Sequence, residues 1–170
     1  MVICGIDPGL TGACGAIRIG DMGGIEFIEA IDLPVIPDGN QRQIDCNALG
    51  EWFERIEPDA CLIENVQPMP SLAGPDGLRR SMGATSAFRF GFACGQIRGC
   101  VQAYEIPATL VHPISWKKHF GLKGPNKEQS RLLAMKLLPD CSAALKLKKS
   151  HNRGEALLLA LYGAAKRGFI

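Results

Sequence analysis

Three acidic residues stand where a charge is badly placed. Asp7 closes the apolar run Val2-Ile3-Cys4-Gly5-Ile6, Glu64 closes Ala60-Cys61-Leu62-Ile63, and Glu155 precedes the apolar stretch Ala156-Leu157-Leu158-Leu159-Ala160-Leu161. A carboxylate among buried residues is costly unless it is paired or holds a cation. Any one of them alone reads as a residue that caps a helix or ends a strand. Three in apolar frames argue for shared chemistry. Clustered carboxylates raise one another's proton affinity unless divalent ions sit between them. An all-oxygen set suits Mg²⁺ or Mn²⁺. Two such ions about 3.5–4 Å apart would orient water and stabilise the leaving oxygen of a phosphodiester.

The elements that must position these acids follow from hydropathy and turn signals. Residues 2–6, 13–19 and 25–32 read as strands, the last two joined by the hairpin signal Gly20-Asp21-Met22-Gly23-Gly24. A proline-rich connector covers 34–40. Ile44, Ala48, Leu49, Trp52, Phe53 and Ile56 recur at helical spacing and predict a helix over about 44–57, followed by a central strand at 60–64. Residues 66–83 read as a loop with three prolines and three glycines, long enough to need a functional reason. A helix rich in small residues is expected over 84–103 and a short strand over 109–112. Three further helices follow: one from Pro113 carrying Trp116 and Phe120, one over 126–138 stopped by Pro139, and one over 151–166. If the first strand adjoins the strand ending in Glu64, Asp7 and Glu64 project side by side. A helix packed over that end would bring Glu155 to them.

Composition narrows the class. The 170 residues are 46% hydrophobic and 21% charged, ordinary for one globular domain spanning 1–170. No apolar run approaches the ~18 residues of a membrane span, and no charged region precedes the N-terminal apolar stretch, so a cytoplasmic chain is expected. Seven cysteines, none in a C-x-x-C pair, read as small buried hydrophobes in a reducing compartment. Charge is uneven: residues 1–116 hold seven basic against fourteen acidic side chains, whereas 117–153 hold ten basic against two. A compact basic segment suits a phosphate backbone, because each neutralised phosphate releases counterions. It also fits a solvated face of two helices, and charge alone names no partner.

The ordered motifs Gly5-Ile6-Asp7-Pro8-Gly9-Leu10-Thr11-Gly12, Leu62-Ile63-Glu64-Asn65-Val66-Gln67 and His151-Asn152-Arg153-Gly154-Glu155-Ala156-Leu157 resemble the RuvC-type Holliday-junction resolvases, in their compact bacteriophage and prophage branch. Pro68-Met69-Pro70, Phe88-Arg89-Phe90-Gly91, Pro113-Ile114-Ser115-Trp116-Lys117 and Lys127-Glu128-Gln129-Ser130-Arg131 extend the likeness over nearly the whole chain. The resemblance implies an α/β, ribonuclease-H-like fold: a central five-stranded mixed sheet flanked by helices, with Asp7 and Glu64 on adjacent strands. It further implies a homodimer, a bacterial or phage-infected host, and incision of four-way DNA junctions dependent on Mg²⁺, two ions per site. Asp7, Glu64 and Glu155 match the family's metal-binding acids. The fourth acid does not carry over. The phage-like pattern opens its last motif with Asp, and here that position is Ser150; other branches place Asp or His where this chain has Asn152. Ser150, His151 and Asn152 are therefore all candidate fourth ligands. His151 is also a candidate catalytic group, since it shares the helix face of Glu155.

In this setting Lys117, Lys118, Lys127 and Arg131 are expected on DNA phosphates, with Lys148, Lys149 and Arg153 beside them. The 66–83 loop would enter the junction with Met69, Leu72 or Leu78 as wedges and Arg79 and Arg80 on phosphates, or would serve only as a connector. Phe88, Phe90 and Phe92 would stack on bases or pack in a core or dimer. Gly91 and Gly95, with Ala87, would let two helices approach closely. Alternative readings are a junction-binding protein impaired in cleavage, and a nuclease for other branched DNA or RNA–DNA hybrids. The Asp7–Gly12 turn is also close to the phosphate turn of actin-like ATPases. Those need two such domains and a far longer chain, so no nucleotide cofactor is expected.

Overall fold

The computed structural model describes residues 1–66, 83–124 and 126–169, with the backbone pairing of two short segments between them. In chain order the elements are β1 (Val2–Asp7), β2 (Ala13–Ile19), β3 (Ile25–Asp32), β4 (Val35–Asp38), β5 (Gln41–Ile44), α1 (Cys46–Ile56) and β6 (Ala60–Glu64). Then come β7 (Leu72–Ala73), β8 (Arg79–Arg80), α2 (Ala84–Ala103), β9 (Ala108–Val111), α3 (Pro113–His119), α4 (Lys127–Leu137) and α5 (His151–Lys166). The main sheet has five strands in the order β3-β2-β1-β6-β9. β1, β2 and β3 run antiparallel, while β1, β6 and β9 run parallel. This is the mixed α/β sheet the sequence predicts.

Strand alternation divides the interior into two layers, because successive side chains point to opposite faces. Cys4, Ile6, Cys14, Ala16, Cys61 and Ile63 face a core built with Leu49, Trp52 and Phe53 of α1 and Ile97 of α2. Ile3, Ile17, Ile19 and Leu62 face the other core, built on α5 with Trp116 of α3 and Ala134 of α4. By the same period Gly5 and Asp7 of β1 and Glu64 of β6 belong to the α5 face. α5 is buried without interruption from Gly154 to Ala164, as a helix under a layer of others must be.

α5 lies directly on the sheet backbone. A Cβ at Gly5 would stand 2.1 Å from the Ala156 carbonyl oxygen and 2.7 Å from the Ala160 nitrogen. One at Gly15 would meet the Leu157 side chain at 2.9 Å. Only glycine permits such an approach.

The structure departs from the sequence reading at the proline-rich connector. Residues 35–38 and 41–44 pair as an antiparallel hairpin, with Gly39 at φ 58° in its turn. Pro37 is tolerated because the two-stranded ribbon leaves edge positions that need no N–H donor. Ile44 therefore ends β5, and α1 starts at Cys46 behind the cap Asp45, whose carboxylate accepts from the Asn47 and Ala48 amides. No helix among the described residues is long and apolar enough to cross a membrane.

The glycine contact makes a direct prediction. Gly5→Ala should lower the urea midpoint by an amount equivalent to about 1–3 kcal/mol or more, the cost of overpacking against backbone. Gly24→Ala, where nothing lies within 4 Å, should leave the midpoint near wild type.

Candidate active site

Asp7 and Glu64 end neighbouring parallel strands. The register that pairs Ile6 with Ile63 sets them side by side, about 4.8 Å apart in backbone. Glu155 opens the second turn of α5, on the helix that Gly5 admits to the sheet. The three acids share one electrostatic neighbourhood. Burial, then Glu155, then Glu64 push the Asp7 carboxyl up to about 8, against the opposing pull of Lys127 and Lys117. Burial also raises Glu64, offset in part by its hydrogen bond from Trp116 and by Lys117. Such a set binds a proton or a cation in preference to standing bare.

The surrounding polar contacts come mostly from residues with no acid character. The Trp116 indole Nε1 donates to Glu64 Oε1 at 2.9 Å, and Trp116 itself is fully buried. Its neighbour Lys117 places Nζ 3.3 Å from Glu155 Oε1, and the Ser130 hydroxyl donates to the same oxygen at 3.4 Å. The sequence reading gave neither Trp116 nor Ser130 a contact with the acids. Trp116 and Lys117 are adjacent on α3, so one short helix supplies the contacts to both Glu64 and Glu155. Among the described residues no three His, Cys, Asp or Glu side chains close on one point as a finished metal cage. The donor chemistry nonetheless fits a hard divalent ion: the three acids offer oxygen only, and their mutual repulsion is what such an ion relieves.

The three candidates for a fourth ligand line a neighbouring cleft. Ser150 is buried and precedes α5 without capping it through its side chain. His151 Nδ1 lies 3.2 Å from the Lys148 carbonyl oxygen. Asn152 is held at both ends: Nδ2 donates to the Thr11 carbonyl at 2.5 Å, and Oδ1 accepts from Lys127 at 3.5 Å. Asn152 thus ties the turn after β1 to α5. All three line an open cleft of about 730 Å³ with Arg42, Lys127 and Lys149. A smaller pocket of about 180 Å³ holds Glu155, Ser130 and Lys117. Lys127 lines both, so the acids and the basic cleft adjoin.

The basic residues split into two groups. Lys118, Lys127, Lys148 and Lys149 are exposed. Arg131, expected on a phosphate, is instead buried at 8% exposure, its guanidinium donating to Glu128 and to the Leu145 carbonyl. Arg153 is likewise engaged, donating from Nε and Nη2 to Asp32 at 2.7 and 2.8 Å. Sequence spacing placed both on basic helices but could not show the acids opposite them. Arg42, on the β4–β5 hairpin, enters the cleft only because that hairpin exists.

On α2, Phe88 and Phe92 are 74% and 50% exposed and stack with ring centroids 6.4 Å apart. Phe90 turns the other way, towards Gly9 in the turn after β1. Gly91 and Gly95 are exposed, with nothing within 4 Å of a Cβ at either. The expected wedge residues Met69, Leu72 and Leu78 and the side chains of Arg79 and Arg80 lie outside the described residues. Only the pairing of Leu72 with Arg80 and Ala73 with Arg79 is described there.

No protein-family model and no curated protein sequence matches the chain. Solved structures do. T. thermophilus RuvC in complex with a Holliday junction substrate is 18% identical, with a TM-score of 0.63 over 99% of this chain and 98% of that one. A second Thermus thermophilus RuvC structure is 22% identical, with a TM-score of 0.64 over the same shares. The sheet order and the helix laid across it thus belong to an architecture that extends over nearly all of both chains: this protein has the ribonuclease-H-like fold of RuvC, the fold that its sequence motifs imply.

Proposed function

We propose that the chain is an endonuclease that resolves four-way DNA junctions by divalent-ion-dependent phosphodiester hydrolysis. The observation that carries this reading is the grouping of Asp7, Glu64 and Glu155 in one electrostatic neighbourhood, with Asp7 and Glu64 both raised, beside a cleft lined by basic side chains. The fold's likeness to a RuvC bound to a Holliday junction supports the choice of substrate. Asp7, Glu64 and Glu155 would hold Mg²⁺ or Mn²⁺, which when bound polarises the phosphate and activates water. Lys127 stands between the acids and the basic cleft, where it can hold a phosphate adjoining the scissile one. Lys118 and Lys149 offer further exposed cations to the backbone, and Lys117 neutralises Glu155 until substrate and ion arrive. Paired incision needs two identical sites, so the working form is a homodimer, and the exposed face of α2 with Phe88, Gly91, Phe92 and Gly95 is its proposed contact.

Cleavage and binding should separate by mutation. Asp7→Asn should abolish scission of a synthetic four-way junction while leaving junction affinity equal or tighter. The double change Lys118→Ala and Lys149→Ala should weaken binding and lower its salt slope by about one unit per lost phosphate contact. Equal loss of binding in both proteins would overturn this assignment, and cleavage of linear duplex or hybrid as fast as of the junction would overturn the substrate.

The raised Asp7 carboxyl also fixes a pH dependence. Its folded value lies above the unfolded one near 3.9, so the ion-free protein loses stability as pH climbs from about 4 through about 8. Asp7→Asn removes that loss. At pH 8 without metal, its melting temperature should exceed wild type by several degrees, at about 2–4 °C per kcal/mol. The gap should close as pH falls towards 4.

The missing fourth acid can be restored. If position 150 belongs to the ion site, Ser150→Asp should lower the Mg²⁺ concentration for half-maximal cleavage. An unchanged requirement places position 150 outside it, and loss of activity with His151→Ala would then assign the role to His151.

A further inference from the structure

Trp116 is the one fully buried aromatic side chain among the described residues that bonds an acid of the candidate site. Its indole N–H reaches Glu64 Oε1 across 52 positions of sequence. α3 fixes this contact firmly. Pro113 starts the helix, His112 caps it by accepting from the Ile114 amide, and the Trp116 ring is packed in the α5-side core. Lys117 Nζ lies 5.0 Å from the centroid of the same ring while it pairs with Glu155, so adjacent residues of α3 contact two of the three acids.

The bond has a consequence for how Glu64 can bind an ion. It commits Oε1 and sets the plane of the carboxylate, whereas among the described residues no donor reaches Oε2. An oxygen that already accepts a buried N–H is the poorer of two ligands. Glu64 is thereby prepared to offer a single oxygen. Mg²⁺ demands near-ideal octahedral geometry at short distance, while Ca²⁺ takes more ligands and accepts carboxylates through both oxygens. A carboxylate held to one oxygen favours the smaller ion.

We propose that Trp116 is a positioning residue that holds Glu64 to one available oxygen and so sets the preference of the site for Mg²⁺ over Ca²⁺. This rests on the reading of the three acids as an ion site. Outer hydrogen bonds of this kind alter metal affinity by about 10–100-fold when removed.

The test is calorimetric titration of the full chain, without DNA, with MgCl₂ and separately with CaCl₂. In Trp116→Phe, which keeps the ring but removes the donor, Mg²⁺ affinity should fall about tenfold while Ca²⁺ affinity holds or rises. A parallel loss for both ions would indicate a purely structural role and overturn the proposal, as would no change in either. Should Trp116→Phe fail to fold, Trp52→Phe leaves Trp116 as the sole indole. Trp52 bonds Glu29, away from the acids. Mg²⁺ should then shift the emission with the calorimetric midpoint, and an unchanged spectrum at saturation would overturn the proposal. Asp7→Asn separates the two levels: if wild type binds no ion, or Asp7→Asn binds as wild type does, the ion site itself is refuted and the role of Trp116 falls with it.

Discussion

The distance between the α5 backbone and the backbone of β1 governs everything else in the molecule. With an ordinary side chain at Gly5 or Gly15 the helix would have to lift off the sheet. Glu155 would then part from Asp7 and Glu64. Gly154 likewise permits a close approach to the Arg131 backbone on α4, and Gly163 makes room for Leu62 and Ile3. The acids supply charge, but the glycines determine that the charges meet. Close packing leaves no slack to absorb a methyl group there.

Meeting in this way is unfavourable for the acids themselves, and the neighbouring elements temper it. Ser130, Trp116 and Lys117 all direct polar hydrogens at the carboxylates. Among the described residues no buried side-chain nitrogen or oxygen is without a hydrogen-bond partner. The fully enclosed polar atoms are therefore paired, yet the acids remain electrostatically strained, because repulsion among like charges is not removed by hydrogen bonding alone. Any cation that approached Glu155 would have to displace Lys117 from it.

Much of this was readable from sequence. The apolar runs ending in acids gave β1 and β6, helical spacing gave α1, and the apolar stretch after Glu155 gave α5. These are long, strongly periodic signals. The β4–β5 hairpin escaped because prolines and charges mask a two-stranded ribbon whose packing on one face is partial. Burial of Arg131 and the bonding of Arg153 to Asp32 escaped for another reason: an arginine on a basic helix looks free until the acid opposite it is known. Asp32 lies 121 positions from Arg153, and no local pattern joins them. The N–H partner of Trp116 is set by where α3 lies against the end of β6, 52 positions away in sequence, which periodicity does not encode.

The unequal burial of α2 and α5 divides the molecule into regions of different local stability. α5 is buried along eleven consecutive residues and contacts every central strand, so its amides open to solvent only when the whole domain unfolds. α2 buries only Ala93, Ile97, Cys100 and Val101 of its twenty residues, none in its first two turns. Opening those first two turns breaks few buried contacts; of their residues only Phe90, set against Gly9 in the turn after β1, faces the neighbourhood of Asp7. The three candidate acids thus sit on two central strands and the most continuously buried helix of the protein, while the helix end carrying Phe88 has little buried surface to hold it.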